Sequence, residues 1–257
     1  MQRWRGKIAV VTGASSGIGW CVTKDLIDAD MFVVGLARRV PQMEKLRLEL
    51  EETKRENFYP HECDLGSLSS IQAAFAWIEE RFKKVHVLIN NAGMSEHSKL
   101  LDEGNEELLK RNVDVNLNGT IFCTKAAYRL MKIAMNAGEE CNIINVNSLL
   151  GHQIPLHIPD CGLNIYPVTK HALLAANDVL RRELYEHKLM RLCTISPGLT
   201  QTNFGATAFD DKTLRALPTA DDILQPEDVS RGVVFILSSP LHVTIADLVM
   251  LPSREKY

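Results

Sequence analysis

Short, continuous apolar runs alternate along the chain with longer stretches in which apolar residues recur at helical spacing. The runs Ile8–Val11, Phe32–Leu36, Phe58–Glu62, Val87–Asn90, Ile143–Val146, Leu192–Ile195 and, near the end, Leu248–Met250 read as strands. Most are apolar throughout rather than alternating, as expected of strands covered by helices on both faces. Between them the pattern predicts helices over Gly17–Asp28, Pro41–Arg55, Ser67–Phe82, Glu106–Asn136, Asn164–His187 and Pro226–Ser238. Strand and helix in alternation specify an α/β fold, a doubly wound parallel sheet with crossover helices. No linker, low-complexity tract or internal repeat interrupts the pattern, so a single domain over residues 1–257 is expected.

Composition narrows the function classes. The net charge is -3, from 29 basic and 32 acidic residues, which gives no reason to expect nucleic acid or an anionic membrane as partner. The six cysteines are scattered without a Cys-x-x-Cys pair, so reduced thiols in a cytoplasmic protein are expected rather than disulfides or zinc. The first apolar run, Ile8-Ala9-Val10-Val11, is too short for a signal-peptide core or a membrane span.

The chemistry begins at Thr12-Gly13-Ala14-Ser15-Ser16-Gly17-Ile18-Gly19, directly after the first strand and opening the first helix. Glycines at 13, 17 and 19 permit a tight turn, close backbone approach to a ligand and close helix–strand packing. The helix N-terminus then offers unpaired N–H groups and a partial positive charge to a pyrophosphate. A structural turn alone would also use glycine; the position between strand and helix favours the nucleotide. At the end of the second strand a carboxylate would repel a ribose 2′-phosphate. This chain instead has Leu36-Ala37-Arg38-Arg39, and both guanidinium groups can pair with that phosphate. The alternative is two arginines ending a strand at the surface. Asp64, followed by Leu65 after the third strand, is placed to accept a hydrogen bond from an adenine amino group.

Tyr166-Pro-Val-Thr-Lys170 opens a helical stretch, and a separation of four puts both side chains on one face. A neighbouring ammonium and an oxidised nicotinamide both favour the phenolate and suit tyrosine to proton transfer. Taken alone the pair is also an ordinary helix-surface arrangement. Other segments converge on it. Asn90-Asn91-Ala92-Gly93 follows the fourth strand, Asn147-Ser148 the fifth, and Pro197-Gly198-Leu199-Thr200-Gln201-Thr202 the sixth, all at the carboxyl edge where open α/β sheets bind ligands. Asn116 falls in the middle of a helix, where asparagine has poor propensity.

Together these segments resemble the short-chain dehydrogenase/reductase family of core length, from residue 7 to about residue 250. The resemblance implies a Rossmann-type, mainly seven-stranded parallel sheet, NADP(H) as cofactor and a tetrad of Asn116, Ser148, Tyr166 and Lys170. By it, Tyr166 exchanges the proton with the substrate oxygen and Ser148 hydrogen-bonds that oxygen. Lys170 holds the nicotinamide ribose and lowers the tyrosine pKa, and Asn116 anchors a water of the proton relay. Residues 13 and 15–19, Arg38, Arg39, Asp64, Leu65, Asn91, Ala92, Gly93, Pro197, Gly198, Thr200 and Thr202 complete the cofactor site. The family also implies a homodimer or homotetramer through the helices carrying Asn116 and Tyr166.

Arg3-Trp4, Asn147-Ser148-Leu149-Leu150-Gly151-His152 and Leu237-Ser238-Ser239-Pro240 further resemble a subgroup containing insect farnesol dehydrogenases and a vertebrate ketosteroid reductase. Ser148 and Tyr166 stand 18 positions apart, more than in many members. The insert Gln153–Pro159, with Ile154, is expected to roof the substrate pocket. Phe204, Phe209, Leu214 and Leu217 are expected to form an apolar second wall suited to a lipophilic alcohol such as an isoprenoid. The alternative is that these side chains pack on the protein itself. His152, His157 and Cys161 lack an evident fourth ligand, so no metal is expected. Reduction of a carbonyl or ketosteroid is a second enzymatic reading. A non-catalytic NADP(H)-binding regulator on the same fold is a third.

Overall fold

The computed structural model describes residues 1–154, 163, 165–208 and 222–253. Among them, seven parallel strands form one sheet in the order β3-β2-β1-β4-β5-β6-β7. The strands are β1 (Ile8–Thr12), β2 (Phe32–Ala37), β3 (Phe58–Glu62), β4 (Val87–Asn90), β5 (Cys141–Val146), β6 (Met190–Pro197) and β7 (Leu248–Met250). Each expected strand is present. The two central strands of the chain's first half, β1 and β4, are buried along their whole length.

Alternation within a strand divides the core into two layers. Ala9 and Val11 face Trp4, Leu26, Val233 and Ile236, whereas Ile8 and Val10 face Ile71, Phe75, Leu130 and Met131. The helices follow from this demand: α1 (Gly17–Asp28) and α8 (Pro226–Ser238) cover the first face, and α3 (Leu68–Phe82) and α5 (Thr120–Asn136) the second. On the same face as α5 lies α6 (Tyr166–Glu183). The order reverses between β1 and β4, and this switch point places a ligand crevice at their carboxyl ends.

Two helices differ from expectation. The helix expected over 41–55 ends early, as α2 (Val40–Arg47), and a 3-10 turn follows at Glu52–Asn57. The carbonyls just beyond it find another partner: Arg55 donates to Leu50 O at 3.2 Å and to Leu48 O at 2.8 Å. The stretch expected as one helix over 106–136 is α4 (Glu106–Val113), a π-helical turn at Asp114–Gly119, and then α5. A Cβ on Gly119 would meet Leu65 O at 2.6 Å. The widened turn therefore accommodates a backbone-to-backbone approach, a form that recurs at functional sites. A short helix, α7 (Gly205–Ala208), follows β6. No described helix is long and apolar enough to cross a membrane.

The amino edge of the sheet is held by polar contacts. Arg3 and Trp4 donate to Leu237 O at the end of α8, each at 2.8 Å. Glu139 accepts from Lys7, from Lys84 at 2.5 Å, and meets His86 Nε2 at 3.2 Å. Bonds to the two ammonium groups hold the Glu139 carboxyl at about 2, below its ordinary 4.5. The depressed value means that this stabilisation is present above pH 4.5 and is lost as pH falls through about 2. Glu139→Gln should therefore melt below the wild type at about pH 7, with the gap closing as melts are taken down towards about pH 2. A gap that persists at the acid end would refute the assignment.

Candidate active site

The first crevice wall is the glycine turn between β1 and α1. Gly13 and Gly17 have φ of 70° and 53°, values that side chains disfavour. Gly19 packs so closely that a Cβ would stand 2.3 Å from Gly13 O. Thr12 and Asn91 brace the turn from the next strand: Asn91 N and Ala92 N both donate to Thr12 Oγ1 at 3.0 Å, and Asn91 Nδ2 donates to Thr12 O at 3.0 Å. Ser16 caps α1 in extended backbone without a side-chain bond into the helix. The first turn is thus left without a side-chain cap from Ser16, an arrangement suited to a pyrophosphate.

Arg38 and Arg39 stand exposed at the end of β2, and Arg39 Nη2 reaches Ser15 Oγ at 3.4 Å. The second arginine therefore lies directly against the phosphate turn. Asp64 is turned by a local bond from Gly66 N at 3.0 Å, and Leu65 beside it is buried. From the far side, Thr202 lies over Gly17, its Cγ2 at 3.1 Å from where a Cβ would be. The segment before it is tied down by Gly198 N donating to Met250 O at 2.7 Å and by the Thr200–Leu224 bridge. Pro197 ends β6 immediately before this loop.

The reacting groups are gathered at the ends of β4 and β5. Ser148 follows β5 and accepts from Leu150 N at 3.1 Å, and its side chain hydrogen-bonds Tyr166. Tyr166 is the first residue of α6, and Pro167 occupies the first turn, where no N–H is needed. One turn on, Lys170 Nζ stands 5.5 Å from the Tyr166 ring and donates to Val146 O at 2.9 Å. Gly93 lies between them and the π turn: a Cβ there would meet Asn116 Oδ1 at 3.5 Å and Lys170 Nζ at 4.0 Å. Asn116 is 1% exposed and clasps Met94 by both backbone groups, at 2.8 and 2.9 Å, and donates to Thr169 Oγ1 at 3.2 Å. All four residues of the expected tetrad thus meet within one buried site.

Burial governs the electrostatics of the pair before a coenzyme is bound. Burial pushes the Tyr166 phenol up to about 12, against the opposing effect of its bond with Ser148. Burial likewise lowers Lys170 to about 8. In the protein alone desolvation therefore dominates, and the tyrosine is held as a neutral proton donor. An oxidised nicotinamide would add a positive charge that acts in the opposite sense.

The substrate side is partly described. Phe204 packs on Tyr166 with ring centroids 5.2 Å apart, and Ile154 is 58% exposed. Phe209, Leu214, Leu217, His157, Cys161 and most of the 153–159 roof lie outside the described residues. Sequence reading missed the partners of His152: its Nε2 meets Ser196 Oγ at 3.1 Å and Asp247 Oδ2 at 2.9 Å. Ser196 itself donates to Asp247 at 2.9 Å. One ring nitrogen serves both partners, so histidine does not stand between nucleophile and acid as acyl transfer requires. The contact instead ties the segment after Ser148 to β6 and the approach to β7. Among the described residues, no group of three or more His, Cys, Asp or Glu is arranged to hold a metal.

Comparison with known proteins gives the family. The family described as short chain dehydrogenase matches residues 7–213. The chain is 36% identical over 258 residues to farnesol dehydrogenase of Aedes aegypti, covering all of both chains. It is 38% identical over 259 residues to dehydrogenase/reductase SDR family member 11 of Gallus gallus, covering 99% of each. Among solved structures it resembles the closed form of a serine dehydrogenase complexed with NADP+, with TM-score 0.82, 28% identity and coverage of 97% and 96%. The chain belongs to the short-chain dehydrogenase/reductase family, NAD(P)-dependent oxidoreductases that interconvert alcohols and carbonyls.

Proposed function

We propose that the chain is an NADP(H)-dependent oxidoreductase of lipophilic alcohols, an isoprenoid alcohol such as farnesol among them. The observation that carries the substrate class is Phe204 packed on Tyr166, which puts an aromatic wall against the proton-transferring group. The farnesol dehydrogenase relative supports the same class. Arg39 against Ser15 supports a 2′-phosphate reader and so NADP(H) over NAD(H).

In this reading residues 13 and 15–19 cradle the pyrophosphate, Arg38 and Arg39 take the 2′-phosphate, and Asp64 and Leu65 border the adenine. Asn91, Ala92 and Gly93 form the floor under the adenosine side. Pro197, Gly198, Thr200 and Thr202 close over the nicotinamide, and Lys170 donates to its ribose. Bound there, the nicotinamide would supply hydride exchange with the carbon that bears the substrate oxygen. Tyr166 takes the hydroxyl proton in oxidation and gives it back in reduction. Ser148 holds the substrate oxygen against the phenol, and Asn116 fixes the Met94 backbone and the start of a relay towards solvent. Ile154 and Phe204 bound the pocket. The apolar residues Ile133 and Val179, exposed on α5 and α6, support a homodimer or homotetramer through these helices.

The test follows absorbance at the NADPH band with farnesol, a medium-chain alcohol and a sugar alcohol, using NADP+ and NAD+ separately. Turnover of farnesol with NADP+ is expected, and preference for the sugar alcohol would sink the lipophilic assignment. Turnover only with a ketosteroid and NADPH would move the reading to carbonyl reduction. Arg39→Ala should weaken NADP+ binding by about 10- to 100-fold, as expected for a lost charge-assisted contact. NAD+ affinity should be unchanged; equal losses for both coenzymes would show that Arg39 shapes the turn instead.

A further inference from the structure

Beneath the reacting groups, a row of polar side chains crosses the apolar layer. Asn90, Asn145 and Thr194 are in register on β4, β5 and β6. Asn90 Nδ2 donates to Thr124 Oγ1 of α5 at 3.0 Å and to Asn145 Oδ1 at 2.8 Å. Asn145 Nδ2 donates to Asn177 Oδ1 of α6 at 2.6 Å, and Asn177 Nδ2 donates to Thr194 Oγ1 at 3.0 Å. Asn145, Asn177 and Thr194 are 0% exposed. The three amides are aligned head to tail, so each bond polarises the next.

Stability alone gives weak cause for this row. Replacing both partners of a buried hydrogen bond by apolar groups of the same shape can be nearly neutral. Position supplies the stronger reason. Asn90 lies three residues before Gly93 on the chain, and Asn145 three before Ser148. Thr124 follows Asn116 by eight residues and Asn177 follows Lys170 by seven, each about two helical turns. Thus β4, β5 and α6, which deliver Gly93, Ser148, Tyr166 and Lys170, and α5, which continues the π turn that carries Asn116, each contribute one member. Apolar contacts are non-directional and let layers slide, whereas hydrogen bonds fix both distance and direction.

We infer that Asn145 and Asn177 are positioning residues: their amide chain locks the relative heights of β4, β5, α5 and α6. Ser148, Tyr166 and Lys170 are thereby held in reacting geometry. This inference rests on the reaction proposed above. Neither asparagine touches substrate or coenzyme; each acts through the element that it holds.

The test compares Asn177→Leu with Ser230→Ala, which removes a buried bond to Asp25 on the opposite face of the sheet. Asn177→Leu should lower kcat about 10-fold or more, because displacement of under an ångström is costly at a reacting centre. KM and the NADP+ Kd should stay within about 2-fold. Titration of Tyr166 in the NADP+ complex, read as tyrosinate absorbance with Tyr166→Phe subtracted, should move up by about half a unit or more as Lys170 shifts. Asn177→Asp keeps the shape and an acceptor for Asn145, and the Thr194 hydroxyl can turn to donate, so it should recover most of the loss. Ser230→Ala should lower Tm while leaving kcat and the titration as in the wild type.

Wild-type kcat and titration in Asn177→Leu would overturn the inference. So would an equal loss of kcat in Ser230→Ala at matched Tm. If Asn177→Leu does not fold, Asn177→Ser, which shortens the side chain, is judged by the same readouts. If the wild type turns over none of the alcohols or carbonyls, the proposed function fails. The Tyr166 titration still decides for or against the positioning role.

Discussion

Tyr166→Phe is expected to lower turnover by about 10²–10⁴-fold, the range that a positioned acid/base contributes, while NADP(H) still binds. The substitution removes one hydroxyl and keeps the ring that packs on Phe204. The phenol of Tyr166 is bonded to Ser148 and driven by burial to about 12, so in the protein alone it carries its proton. Oxidation needs that proton gone and reduction needs it present. The kcat for alcohol oxidation should therefore rise with pH and that for carbonyl reduction should fall, both dependences disappearing in the variant. The measurements are steady-state rates across pH and calorimetric titration of NADPH. Turnover at the wild-type rate would sink the acid/base assignment; loss of NADPH binding would show instead that the hydroxyl organises the coenzyme site.

Gly19→Ala is expected to abolish measurable nucleotide binding, with a fall in stability of about 1–3 kcal/mol, typical of overpacking. The added carbon would lie 2.3 Å from Gly13 O and 2.5 Å from Asn91 Nδ2. The first of these is backbone and cannot swing aside, so α1 must retreat from β1. That movement opens the turn proposed above to cradle the pyrophosphate. Calorimetry with NADPH and thermal melts check the two parts separately. Near-normal binding would mean that the turn is more compliant than its packing implies.

Fold and site were legible in the sequence to different depths. The strands could be read because burial on both faces leaves a continuous apolar run, as in Ile8–Thr12. The glycine turn and Ser148 were legible as local strings at strand ends, and Tyr166 and Lys170 as a pair opening a helix. The end of α2 was not: the charged residues after Arg47 fit a solvated helix, and the stop comes from Arg55 reaching back to two carbonyls. The π turn around Asn116 was hidden for another reason. One widened turn changes no composition, and the approach of Gly119 to Leu65 O exists only in the fold. Asn116 looked out of place in a helix, and that was the visible trace. The Asn90–Asn145–Asn177 row joins positions 55 and 32 residues apart, so it becomes apparent only with strand register. His152 was visible but its partner Asp247 was not, for the same reason.

The clasp of Arg3 and Trp4 on Leu237 O has a consequence for biogenesis. The two sides of that contact are separated by 234 and 233 positions, nearly the length of the chain. During synthesis the indole N–H of Trp4 has no carbonyl to bind on α8 until that helix has left the ribosome. Trp4, among the largest wholly buried side chains, is only partly covered until then, by the early members of its cluster such as Ala9 and Leu26. A contact of such sequence separation closes late, because its loop entropy is recovered only once intervening elements are in place. The seam between the segment around Trp4 and α8 is then among the last parts of the fold to close.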